Sequence, residues 1–165
     1  MITFKLNGAN DVQKWLDDIA KKIPQEVELF LNNLMRVGIP VVDNNYKKSR
    51  GGDDYTMQHS SWVEVVNNGD RIVAKLIVEG EDLAFVEFGA GIFFHTTGHP
   101  LENEFGMGVG TYPNQTHAYD NFWWYKGQDG KSHFSKGIGA QMPVFKAGEE
   151  IANKFEEVAR ETFGV

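Results

Sequence analysis

Apolar residues recur at three- and four-residue spacing through Val12, Trp15, Leu16, Ile19 and Ile23, the repeat of one helix face. Asn10 stands where an N-cap belongs, and Lys21 and Lys22 suit the negative end of the helix dipole. Pro24 is expected to end or kink this helix and to open the next one. The repeat resumes with Val27, Phe30, Leu31, Leu34 and Met35 and reaches Val41 and Val42. Gly38 and Pro40 predict a kink or break within it. An unbroken second helix of about 25 residues would be ~37 Å long. Two readings stand: a long helix that serves a neighbouring subunit as well as its own core, or two ordinary core helices.

The period then changes. Ser49 to His59 is polar and bears glycines, as a loop does. Trp62–Val66 and Arg71–Glu79 alternate in polarity around Asn67-Asn68-Gly69-Asp70, the pattern of a β-hairpin. Leu83 to Phe88 is too short to separate a third strand from one turn of helix. Gly89 to Gly110 is punctuated by glycines and Pro100, long for a structureless loop. Tyr119 to Lys126 is aromatic enough for a strand, and Gly127 to Gly130 reads as a turn. Pro143 to Phe163 predicts a closing helix, with Gly148, Ile151, Ala152, Phe155, Val158, Ala159 and Phe163 on one face. Pro143 at its start, Glu149 and Glu150 early, Arg160 late and Gly164 beyond its end fit helix punctuation. The layout predicts one α+β domain over residues 1–165, with N-terminal helices and a largely antiparallel sheet. A long insertion spans about residues 92–136, and the C-terminal helix is expected to pack on the sheet.

Composition narrows the chemistry. The chain has no cysteine, which removes disulfides, thiolate metal sites and cysteine nucleophiles. A formal charge of −7 argues against specific nucleic-acid binding, and the one basic cluster, Lys47-Lys48-Ser49-Arg50, is followed by Asp53 and Asp54. No apolar run approaches the roughly 18 residues of a membrane span, so no membrane partner is expected. Met1 to Leu6 lacks the basic and apolar regions of a signal peptide, so the chain is expected to stay where it is made.

Catalytic patterns are thin. His95, His99, His117 and His133 lie in the insertion with Glu102 and Glu104 nearby, the raw material of a metal-dependent enzyme. Yet His95 and His99 are separated by Thr96-Thr97-Gly98 and followed by Pro100, so no helix is expected to present them together. Ser60, Ser61, Ser132 and Ser135 stand in no Gly-x-Ser-x-Gly frame. Gly106-Met107-Gly108-Val109-Gly110 lacks the Lys-Ser/Thr ending of a phosphate loop. No cofactor, catalytic residue or metal ligand is therefore assigned. Phe93, Phe94, Tyr112, Tyr119, Phe122, Trp123, Trp124 and Tyr125 crowd the insertion and the strand after it. Strand alternation sends neighbours to opposite faces, so some belong to the core. Phe93, Phe94, Trp123, Trp124 and Tyr125 are the candidate interface residues, because aromatics carry much interface energy. A monomeric binding module using Trp123 and Trp124 is a further alternative.

Two strings carry a resemblance. Phe85-Val86-Glu87-Phe88-Gly89-Ala90-Gly91 precedes the insertion, and Gly137-Ile138-Gly139-Ala140-Gln141-Met142-Pro143-Val144-Phe145-Lys146-Ala147 precedes the last helix. Their order resembles the lambdoid-phage gene-product-ten-like family, the tail-completion and head–tail joining proteins of the tailed-phage neck. The matching positions are Val86, Glu87, Phe88 and Gly89, then Ala140, Pro143, Phe145 and Ala147. The resemblance implies a structural virion or prophage protein, not an enzyme. Its partners would be its own copies in a ring and the neighbouring neck and tail proteins. It would be located in the host cytoplasm during assembly and then in the virion. It also implies that Glu87, beside Phe85 and Phe88, fixes the exit from the sheet by binding local backbone N–H groups.

Overall fold

The N-terminal stripe forms one helix, α1 (Ala9–Arg36), in the computed structural model. The structure describes residues 9–48, 59–80, 83–93, 98–108, 110–111, 116–127 and 129–164. The expected loop at 49–58, together with Phe94, His95 and Tyr112, lies outside the described residues. Helix α1 is already running at Ala9, so Asn10 is a helical residue and not its N-cap. It also passes through Pro24, where an end or kink was expected. A proline forfeits one i→i−4 hydrogen bond, but the apolar stripe keeps its phase on both sides and Phe30 and Leu34 bury the second half. The break falls at Val37, and α2 (Gly38–Lys48) follows. The long second helix of the expectation is thus the end of α1 joined to an eleven-residue α2. Pro40 sits in the first turn of α2, where a missing N–H costs nothing.

The expected hairpin is present as β1 (His59–Asn67) and β2 (Ile72–Gly80), antiparallel, with Trp62 opposite Ile77 and Val65 opposite Ala74. Its turn is closed by the Asn68 N–H donating to the Arg71 carbonyl at 3.1 Å and the Gly69 N–H donating to the Asn67 side chain at 2.8 Å. The hairpin is fastened to the helices at both ends. Asp43 of α2 accepts from the Ser61 hydroxyl at 3.0 Å and pairs with His59 at 2.9 Å, while Asn67 donates to Glu28 of α1 at 2.6 Å.

The remaining elements are α3 (Leu83–Phe88), α4 (Glu102–Phe105), β3 (Trp123–Lys126), β4 (Ser132–Ser135), α5 (Pro143–Asn153) and α6 (Phe155–Phe163). The α+β class is as expected, with all strand pairing among the described residues antiparallel. Among the described residues the strands form two separate two-stranded sheets, β1–β2 and β3–β4, in place of one larger sheet. The insertion holds α4 and contributes the β3–β4 hairpin. The single closing helix of the expectation is interrupted at Lys154, although the Lys154 N–H still bonds to Glu150 and the Val158 N–H to Lys154.

These closing helices pack on other helices first, α5 on α2 and α6 on α1. One buried cluster joins Val42 and Tyr46 of α2, Val86 of α3 and Ala147 of α5, and Leu76 and Val78 of β2 pack against it. Through that cluster α5 meets the hairpin. A second cluster joins Phe30, Leu34 and Val158, with the Phe155 and Phe163 rings 5.3 and 5.4 Å from Phe30. Gly38 lets the layers close: a Cβ there would lie 2.6 Å from Leu76 and 2.9 Å from Ile151. Among the described residues, no helix is long and apolar enough to cross a membrane.

Candidate functional site

The chain from Val86 to Ala90 and the chain from Ile138 to Phe145 meet in one junction. Ala90 and Ile138 exchange two backbone hydrogen bonds of 2.8 and 2.9 Å, and the Gln141 N–H donates to the Val86 carbonyl at 2.8 Å. Gly89 turns the chain out of α3 at φ +83, and its N–H donates to the Phe85 carbonyl. A Cβ at Gly89 would sit 3.0 Å from both the Ala140 nitrogen and the Ile138 carbonyl oxygen. The left-handed backbone and the close approach both require glycine here.

Glu87 locks this junction. Only 6% of the residue is exposed. One carboxylate oxygen accepts from the Val144 N–H at 2.8 Å, and the other accepts from the Phe145 N–H at 2.9 Å. Those are N–H groups of the first turn of α5, which have no helical acceptor of their own. Met142, in the cap position, offers no capping side chain and is held at φ 56, a strained conformation for a non-glycine residue. Glu87 therefore performs across the fold the task an N-cap side chain performs locally, and its charge lies at the positive end of the helix dipole. The expectation of local N–H partners is corrected: the donors are 57 and 58 residues away, and Glu87 stands on a helix, not at the end of a strand.

A third donor comes from the insertion. His99, 3% exposed, faces the Glu87 carboxylate through Nε2 at 3.0 Å. The Leu101 N–H donates to His99 Nδ1 at 3.0 Å, so the ring proton belongs on Nε2, from which it is donated to Glu87. The imidazole lies between the Phe88 ring at 4.4 Å and the edge-on Phe145 ring at 5.2 Å. Buried and bonded in this way, the pair holds α3, α5 and the insertion together. Pro143 and Ala147 are buried beneath it, and Lys146 donates to the Gln141 carbonyl at 2.7 Å and reaches Asn45 of α2 at 3.3 Å. The sequence reading missed the role of His99 and of Lys146. No local pattern marks either one.

The other described histidines are dispersed. His117 pairs with Asp120 at 2.8 Å, and His133 pairs with Asp129 at 2.9 Å. The His133 bond and the Lys131 N–H hold the Asp129 carboxyl below its ordinary 3.8. Among the described residues, no three His, Asp or Glu side chains gather as a metal-holding group.

Strand alternation divides the candidate interface residues. Trp124 lies opposite Phe134, with ring centroids 5.3 Å apart, and Phe122 stands 5.6 Å from the same ring. This face is open, with Trp124 62% and Phe122 58% exposed. Trp123 turns the other way, half-buried over Gly91 and Gly137 and stacked on His117. Tyr125 stacks on His133, and Phe93 lies under the Lys136 ammonium, 4.9 Å from its ring. Phe122 and Phe134, absent from the expected set, complete the exposed patch.

Comparison of the chain with protein-family models, curated proteins and solved structures returned no match.

Proposed function

We propose that this chain is a structural subunit of a tailed-phage or prophage particle, acting at the neck or tail end in tail completion and head–tail joining. In this reading its copies form a ring that contacts neighbouring neck and tail proteins. It performs no catalysis and holds no cofactor. It is made in the host cytoplasm and carried into the virion.

One observation carries the reading. The two strings that underlie the resemblance to the gene-product-ten-like proteins are far apart in sequence, yet they close on each other in a single buried junction around Glu87. Strings matched by chance have no reason to touch. Glu87, Gly89, Pro143 and Ala147 each have a geometric duty there. The open Phe122–Trp124–Phe134 face adds support, since exposed aromatic clusters mark protein-binding surfaces.

The test is light scattering behind size-exclusion chromatography over a wide concentration range, with elemental analysis of untagged protein. A discrete multimer, or growth toward one with concentration, is the expected result. A monomer retaining stoichiometric metal would replace this reading with the histidine-based enzyme. A metal-free monomer would replace it with the binding module.

A further inference from the structure

The aromatic face of the β3–β4 hairpin is bordered by cations. Lys126 follows Trp124 by two residues within β3, so alternation places it on that face, while Lys136 stands one residue beyond β4 with its ammonium 4.9 Å from the centre of the Phe93 ring. Both are exposed. In a chain of net charge −7, an aromatic patch framed by lysines suits a surface that is apolar at its centre and acidic at its border.

The same chain presents such a surface. Val144, Gly148, Ala152 and Phe155 follow one another at four- and three-residue spacing, which makes a row along one side of α5 and α6. All four are exposed. Glu149 and Glu156 stand three residues before and four after Ala152, and both are exposed at the border of the row. Glu156 also faces Arg160 at 3.7 Å, an exposed ion pair that constrains it little.

Gly148 is the independent observation. It occupies mid-helix, where glycine costs about 1 kcal/mol relative to alanine. Beyond its two chain neighbours and the backbone of its own helix, no atom of the described residues lies within 4 Å of the position its Cβ would take. Nothing within the described chain requires a glycine there. A bare strip of backbone admits a large flat ring from outside.

We propose that the β3–β4 hairpin of one copy docks on the Val144–Phe155 row of a second copy, with Trp124 over Gly148 and Ala152, and with Lys126 and Lys136 against Glu149 and Glu156. This inference rests on the assembly reading above and names its contact. The two patches differ, so the contact is heterologous and repeats head to tail.

The test is sedimentation velocity of the full chain up to about 1 mM, a weak-binding limit of roughly −4 kcal/mol. Lys126→Glu with Lys136→Glu is expected to weaken self-association about a hundredfold, because like charges then face each other. Glu149→Lys with Glu156→Lys should do the same. All four substitutions in one chain should restore association, and each variant should melt as the wild type does because only exposed side chains change. Association that ignores either pair of reversals, or that fails to return in the fourfold variant, overturns this contact and leaves the assembly reading standing. Wild-type protein that stays monomeric throughout overturns both. Hairpin lysines that instead govern binding of a single-stranded oligonucleotide, with self-association unchanged, also overturn the contact.

Discussion

At the residue scale, the account rests on Glu87. A carboxylate buried among Phe88, His99 and Phe145 is tolerable only because three N–H donors meet it. Glu87→Ala strands those donors, and stability should fall by about 3–5 kcal/mol, the cost of breaking a buried charged network. Glu87→Gln keeps one acceptor oxygen and should cost less than Glu87→Ala. Denaturant unfolding of the two variants checks this, and an unchanged midpoint for Glu87→Ala would remove Glu87 from its structural role. A structural role for Glu87 was implied by the resemblance its string carries. Its partners were not legible, because a contact spanning 57 residues leaves no periodicity in the sequence. His99 was illegible for the same reason.

At the element scale, periodicity read well wherever one face is buried and poorly where tertiary context overrides a local signal. The β1–β2 hairpin follows its alternation and Asn-Gly turn. Pro24 should have ended a helix on local grounds, yet α1 continues because the residues beyond it are anchored by α6 and the hairpin. The short run Leu83–Phe88 could not be typed from sequence, and it is a helix. The β3–β4 turn offers a test in acid. Its Asp129 carboxyl lies below its ordinary 3.8 in the folded chain, because of its bonds to His133 and the Lys131 N–H. A depressed pKa means these bonds support the turn above pH 3.8 and are lost as the pH falls through the lower folded value. The Lys131 amide resonance should therefore shift with a midpoint below 3.8, and Asp129→Asn should abolish that shift. A midpoint at or above 3.8 would show that the turn is not held in this way.

At the scale of the whole molecule, two features stand out. A single buried junction ties α3, α5 and the insertion together, and an aromatic hairpin with an open face extends from it. The α+β class was legible because helix and strand periods alternate cleanly along the chain. The division into two small hairpins was not, since edge pairing between distant strands has no local signature. A buried, hydrogen-bonded junction and an open aromatic face suit the proposed role of a part that joins other parts. The most direct measurement is electron microscopy of particles assembled by the encoding phage or prophage with this gene inactivated. The account expects DNA-filled heads and separate or incomplete tails, with joined particles restored when the gene is supplied in trans. Normal numbers of joined, infectious particles in its absence would contradict it.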